Sequence, residues 1–334
     1  MITMTRSETL EALDPEHGVE LYLAQKEDEA SDRTVQAHWY RLKHFLRFCS
    51  ESDIENLNEL TGRTLFDFRQ WRRDDGELND VSLRTQLSTL RVFIQFCESI
   101  DAAETDLHEK IVIPSTGEKD VRDASIESDR VNDILDHLHQ FEYASREHVV
   151  VKLLWTASLR IGALRALDVS DIDSEEECLR LRHRPECGTA LKNGANSERL
   201  ISVSNETLAV VVDWIEHNRP NVSDEFGRKP LIATDQGRMS DSGLRGLVYN
   251  ITRPCYIDRE CLCGDDFGYT SASKCPHSRS PHCFRKGSLT HYLRDDVPKD
   301  VLSERADCST EVLDRWYNKM TESEKMEQRR EYFD

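Results

Sequence analysis

Residues 280–317, SPHCFRKGSLTHYLRDDVPKDVLSERADCSTEVLDRWY, decide how this 334-residue chain is read. Ser280 suits a helix N-cap, and Pro281 suits the first helical position, where a missing N–H costs nothing. His282 and Arg285 are three residues apart, so they share a face of the first turn. A helix N-terminus attracts phosphate through its unpaired N–H groups. Leu289 and Leu293 continue at helical spacing and would anchor the helix in a core. One short helix later comes Tyr317, beside Trp316. A histidine and an arginine at a helix start, with a tyrosine downstream, fit phosphoryl chemistry. They fit equally a basic surface helix followed by a core Tyr-Trp pair, so the rest of the chain has to decide.

Working outward, Arg160 follows a strongly apolar helix, SREHVVVKLLWTA at 145–157, and precedes Ile161. A guanidinium in that setting needs an anionic partner. Three short strand candidates follow at 178–183, 189–192 and 199–203, and the last two flank the turn Asn193-Gly194-Ala195-Asn196. Asn-Gly is a strong hairpin signal and sets Lys192 at the tip. Together with His282, Arg285 and Tyr317, these residues supply every role in phosphodiester transesterification. Two arginines clamp the non-bridging oxygens. Tyrosine is the covalent nucleophile. Lysine protonates the leaving oxygen, and histidine takes or gives a proton.

At this point the chain resembles the tyrosine recombinase (phage integrase) family, including Xer-type recombinases. Four ordered boxes carry the resemblance: LLWTASLRIGALRALDVSDID around Arg160, LKNGANSERLISV around Lys192, PHCFRKGSLTHYL around His282 and Arg285, and VLDRWY at Tyr317. The wording YASREHVVVKLLW and SRSPHCFRKG is similar to integrases of extreme halophiles. The resemblance implies a mainly α fold with a small antiparallel β-sheet: a four-helix core-binding domain followed by a catalytic domain of the DNA breaking-rejoining type. It implies a metal-free, ATP-independent reaction through a 3′-phosphotyrosyl link on double-stranded DNA. It also implies a homo-tetramer on two recombination sites, with strand exchange through a Holliday junction. Three positions depart from the family pattern. Ser158 stands where glycine is usual, Ala163 where an acidic residue is common, and Cys308 where a histidine or tryptophan normally completes the site. These departures keep two alternatives open, a non-catalytic DNA-binding relative and a type IB topoisomerase-like nicking-closing enzyme.

The remainder of the sequence bounds these readings. Hydrophobic residues make up 38% and charged residues 32%, and no apolar run approaches the roughly 20 residues of a membrane span. The first fourteen residues hold no apolar signal segment, so the expected compartment is the cytoplasm. The expected organisation is a disordered 1–14, helical domain 15–102, linker 103–128 and catalytic domain 129–334. Within the first domain, Arg41, Lys43, Arg47, Arg69, Arg72 and Arg73 form basic helix faces and are the candidate DNA contacts. The net charge of −19 opposes DNA binding unless local arginine clusters act in a high-salt cytoplasm. Of the ten cysteines, Cys49 and Cys97 sit at apolar helical positions, and four cluster late in the chain. Cys255, Cys261, Cys263 and Cys275, with His277, fall within 23 residues and are candidate ligands for a structural zinc. Their spacing is not that of a standard paired knuckle, and the alternative is an acidic insertion with incidental thiols.

Overall fold

The computed structural model describes residues 10–115, 124–261, 267–317 and 321–330. The chain divides into two compact units, Met1–Asp123 and Ala124–Asp334.

The first unit is built on α1 (Pro15–Glu29), α2 (Asp32–Glu51), α3 (Gly62–Asp75) and α4 (Asp80–Ser99). Short polar side chains start three of the four. Asp14 accepts from the His17 amide, Thr61 forms a reciprocal capping box with Thr64, and Asn79 accepts from the Ser82 amide. The 3.6-residue pattern then brings Tyr22, Leu42, Phe45, Phe68, Leu87 and Phe93 into one core. Phe45 meets Phe68 and Phe93 edge-on at 5.4 and 6.0 Å. Each such ring contributes about 1.5–3 kcal/mol by leaving water.

Both boundaries of this unit differ from expectation. Leu13 packs on the core and its amide donates to Asn56 Oδ1, so residues 10–14 are ordered structure; 1–9 lie outside the described residues. The expected linker 103–128 is also partly folded. Leu107 and Ile111 are buried in the same core, and Arg91 and Arg84 donate to the carbonyls of Ile111 and Pro114. Two apolar side chains four residues apart are enough to fold a short turn back onto α4, and the acidic character of the segment hides them.

The second unit holds α5 (Ser128–Phe141), α6 (Arg146–Thr156), α7 (Ile161–Ala166), α8 (Asn205–Asp213), α9 (Asp241–Ile251), α10 (Pro281–Arg294), α11 (Lys299–Ala306), α12 (Thr310–Val312) and α13 (Glu322–Arg330). Every residue of α6 from His148 to Trp155 is buried, so it forms the centre of the main core. Its one lysine, Lys152, reaches Glu206 at the start of α8. α10 lies on α6. Ser288 donates to the Trp155 carbonyl (2.6 Å), and the His291 ring stacks on Trp155 at 5.4 Å. The approach is close: a Cβ at Gly287 would sit 2.2 Å from the Ile126 carbonyl oxygen.

The antiparallel sheet has the order β1 (Ile172–Asp173), β2 (Cys178–Leu181), β3 (Arg199–Ser202). Leu179 pairs with Ile201, and Leu181 with Arg199. The strand expected at 189–192 is absent. Only Thr189 bridges back to Arg184, and the Leu191 amide donates to His183 Nδ1 (2.9 Å). β2 pairs directly with β3, and 182–198 becomes a long loop. The Asn-Gly signal marks a single 3-10 turn in it, Gly194–Ser197, with Gly194 at φ +67°. A second hairpin, β4 (Ala233–Thr234) with β5 (Gly237–Arg238), carries no strong strand signal. It is fastened by a buried charge network in which Asp168 binds Arg184 and Arg238, Asp171 binds Arg184, and Asp224 binds Arg228 and Arg238. Burial of these ions is tolerated because each carboxylate has a guanidinium partner.

The C-terminal part forms a small core of its own. Leu289 and Leu293 of α10, Leu302 and Ala306 of α11, and Leu313 and Tyr317 bury one another. After α12 the chain widens into a π-helical turn, Leu313–Tyr317.

Candidate active site

Arg160 is the N-cap of α7, immediately after a tight reversal in which buried Ser158 adopts φ +49°. That conformation is costly for a residue with a Cβ and is held by its surroundings. Ser158 Oγ shares a 2.6 Å hydrogen bond with Ser288 Oγ. The Ser158 carbonyl accepts from Arg285 NH1 (2.6 Å), and Arg285 NH2 donates to the Ala306 carbonyl (2.6 Å). Arg285, only 3% exposed, is therefore gripped between the α6–α7 turn and the end of α11.

Arg160, Lys192, His282, Arg285, Cys308 and Tyr317 line one cavity of about 460 Å³. They come from four separated segments of the chain. Burial and the Arg160 charge pull Arg285 below its ordinary value, while Tyr317 and Cys308 act in the opposite sense. His282 keeps much of its surface exposed, yet desolvation first, then Arg285, Lys192 and Arg160, holds it below the usual imidazole value. It is thus neutral near pH 7. Burial raises the Cys308 thiol, with Arg285 and Arg160 opposing the rise. Tyr317 is 6% exposed; its carbonyl accepts from Thr290 Oγ1 at 3.0 Å, which ties the turn to α10.

Four further residues in or beside this cavity are not revealed by residue chemistry alone: Asp307 and Asn193 line it, and Ser197 and Arg199 stand behind them. Asp307, at the C-cap of α11 with φ +52°, binds Arg160 through its carboxylate and accepts from Arg160 NH2 through its carbonyl (2.5 Å). Its carboxylate also accepts from Asn193 Nδ2 (3.1 Å) and Ser197 Oγ (2.8 Å). Arg199 lies nearby, donating to the Arg305 and Ser197 carbonyls; burial lowers it to about 10, with Asp307 opposing and Arg285 and Arg160 adding to the fall.

With this geometry in place, the comparisons decide the family. Residues 124–324 match the model of the phage integrase family, and residues 20–99 match the phage integrase N-terminal SAM-like domain. The chain belongs to the phage integrase family. Among curated relatives, tyrosine recombinase XerC of Escherichia coli O157:H7 (strain EC4115 / EHEC) is 25% identical over 192 residues, 57% of this chain and 58% of the relative. XerC of Shewanella amazonensis is 26% identical over 139 residues, 42% of this chain and 43% of that protein. The chain thus matches about half the length of these relatives. Two solved structures share the fold. The Tn1549 transposon integrase in complex with a circular intermediate DNA has a TM-score of 0.67 at 12% identity, covering 94% of this chain and 99% of that one. The lambda integrase tetramer bound to a Holliday junction has a TM-score of 0.62 at 14% identity, covering 89% and 75%.

The departures from the integrase pattern now have positions. Ser158 occupies a left-handed turn where glycine is the easy choice. Ala163 is buried in α7 and offers Arg160 no charge. Cys308 lines the cavity.

The six basic residues of the integrase N-terminal domain do not form one free face. Arg72 is 5% exposed and donates to Gln86 Oε1 (2.7 Å) and Asp75 Oδ2 (3.1 Å); it is a core residue of the helix bundle, so its assignment as a DNA contact is corrected. A lone arginine in the apolar face of α3 reads as surface charge only until α4 covers it. Arg41 donates to Thr89 Oγ1, Arg47 pairs with Asp75 while lying over the Trp71 ring, and Arg73 pairs with Asp80. Arg69 is partly buried, and Lys43 is exposed beside the Tyr40 ring.

In the cysteine-rich segment, Cys261 and Cys275 have their sulfurs 3.7 Å apart; Cys275 is buried, Cys255 is exposed and Cys263 lies outside the described residues. Cys255 is raised chiefly by burial, with Cys261 among the groups acting on it. Among the described residues no group of three or more candidate ligands is assembled for a metal. Nor is any described helix long and apolar enough to cross a membrane.

Proposed function

We propose that this chain is a site-specific DNA recombinase that cuts and rejoins double-stranded DNA through Tyr317, without metal or ATP in the chemical step. The observation that carries the reading is the convergence of Arg160, Lys192, His282, Arg285 and Tyr317 on a single cavity. The Tyr317 oxygen attacks the scissile phosphorus as its proton passes to neutral His282. The P–O5′ bond breaks, and Lys192 delivers a proton to the departing 5′ oxygen. Arg160 and Arg285 hold the negative charge that builds on the non-bridging oxygens. The product is a 3′-phosphotyrosyl link and a free 5′-hydroxyl. A 5′-hydroxyl from a partner strand reverses the step, and no bond energy is lost. Paired exchanges of this kind require four protomers on two sites. The Holliday junction held by the lambda integrase tetramer supports that stoichiometry by fold analogy.

A nicked suicide substrate tests the reading, because loss of the short 5′ fragment traps the covalent intermediate. The wild-type chain is expected to form a DNA adduct that Tyr317→Phe abolishes. Intact DNA binding without adduct would turn the reading towards a non-catalytic DNA-binding relative. Supercoil relaxation without recombinant product would turn it towards a nicking-closing enzyme.

Structural zinc in the cysteine-rich segment is a separate part of the proposal. Its support is the 3.7 Å spacing of Cys261 and Cys275, well beyond a disulfide, with Cys255 interacting with Cys261. Two thiolates on one tetrahedral zinc, each at about 2.3 Å, stand about 3.8 Å apart. Cys263 and His277 are the other candidate ligands by sequence. Metal analysis of the purified chain should find one equivalent of zinc, lost in Cys275→Ser; substoichiometric traces in the wild type would exclude it.

A further inference from the structure

The part of the cavity that the proposed chemistry leaves unused is the Asp307 carboxylate. It is mostly buried, and among the described residues it is the sole negative charge lining the cavity, beside Arg160, Lys192 and Arg285. A carboxylate at such a point either competes with the phosphate or organises the groups that receive it, and the hydrogen bonds decide between the two.

Asp307 touches two elements of the cavity wall. On one side it engages Arg160 twice, through its carboxylate to NH1 and its carbonyl to NH2. These take two of the five guanidinium donors and leave three for a ligand. On the other side both carboxylate oxygens accept from Asn193, and Oδ2 accepts from Ser197. Asn193 is the neighbour of Lys192, and Ser197 closes the 3-10 turn that follows. The 182–198 loop has no strand pairing beyond Thr189; Leu191 seats it in the main core, and these bonds tie the turn after Lys192 to Arg160. Arg160 has no carboxylate on its own helix, because Ala163 stands one turn on. A plug would hold Arg160 alone; a carboxylate shared between Arg160 and the Lys192 loop fixes one relative to the other.

We propose that Asp307 is a positioning residue that sets the Arg160 fork and ties the Lys192 loop to it, so that clamp and proton donor meet the same phosphate. The inference rests on the recombinase reading. Its backbone conformation makes it testable without unfolding the turn, since glycine and asparagine are the residues that tolerate φ +52° best.

The experiment uses the full chain, with Asp307→Gly, Asp307→Asn and Lys192→Ala beside the wild type. Each is given two nicked substrates that differ only in the bridging 5′ atom, oxygen or sulfur. A 5′-thiolate leaves without a proton, so the sulfur substrate repairs a defect in proton delivery and leaves a defect in the clamp unrepaired. Asp307→Gly should cleave the oxygen substrate at least ten-fold more slowly than wild type, with a several-fold part of that loss recovered on sulfur, as in Lys192→Ala. Asp307→Asn, which keeps one carbonyl oxygen, should fall between. Equal losses on both substrates, no loss at all, or faster cleavage by Asp307→Gly would each overturn the proposal, the last by showing a brake. A second readout needs no turnover. By NMR, the Arg160 guanidinium should rotate slowly in the wild type and faster in Asp307→Asn; unchanged rotation would count against the positioning role. Absence of adduct with the wild type on both substrates would instead sink the recombinase reading, and the NMR result would still decide the role of Asp307.

Discussion

His282 is the residue whose protonation state the structure makes most consequential. Desolvation and three cations hold it below the ordinary imidazole value, so it accepts a proton at neutral pH. Adduct formation should therefore hold its rate as pH falls to about 6.5 and decline only below that. His282→Gln should lower the plateau about 10²-fold, the scale of a lost general base, and remove the acid limb. A limb that survives the substitution would assign it to another group. That this histidine, both arginines, the lysine and the tyrosine would meet in one cavity was legible from the sequence, because four ordered boxes carry them. Asp307 was not legible. Its role comes from a left-handed turn that aims an ordinary acidic residue at an arginine 147 positions away, and no local pattern encodes that meeting.

At the scale of elements, the helices were read well and the loops poorly. Helix boundaries such as Asp32–Glu51 and Asp80–Ser99 follow from caps and a 3.6-residue period, which are local. The segment 189–192 has strand-like composition, but β2 finds its partner in β3, and pairing is a non-local decision. The same limit misplaced Arg72. This makes two arginine-rich helices of the first unit separable by experiment. Arg72→Ala removes a buried guanidinium and leaves Gln86 without its partner, while Asp75 keeps Arg47, and it should cost the fold about 1–3 kcal/mol. Lys43→Ala, at an exposed site, should leave the melting temperature alone and weaken DNA binding across sequences, lowering the salt slope by about one. An unchanged DNA affinity and salt slope in Lys43→Ala would remove that helix face from the interface.

At the scale of the whole molecule, 63 acidic residues face 44 basic ones. The buried carboxylates around Asp168 and Asp171 are neutralised by arginines, which leaves the excess on the surface. Such a surface repels itself and is relieved by salt, since the screening length falls from about 10 Å at 0.1 M to about 3 Å at 1 M. The melting temperature should rise between 0.1 and 2 M KCl, and specific DNA binding should persist near molar KCl. Binding lost well below that would separate this chain from a high-salt mode of life. Composition announced the charge but not where it lies, because burial is a property of the folded chain.

The small C-terminal core has one more consequence. Tyr317 is not anchored in the main body around α6; it shares a cluster of six buried side chains with α10 and α11. A cluster that size protects its backbone by a fraction of the global free energy, so the turn behaves as a separate opening unit. Amide hydrogens at 313–317 should exchange with solvent orders of magnitude faster than those of Val149–Leu154 in the free protein. DNA should slow the former selectively. The nucleophile would then be a part held in reserve, loosely seated until a phosphate enters, and uniform exchange across both segments would show it to be seated from the start.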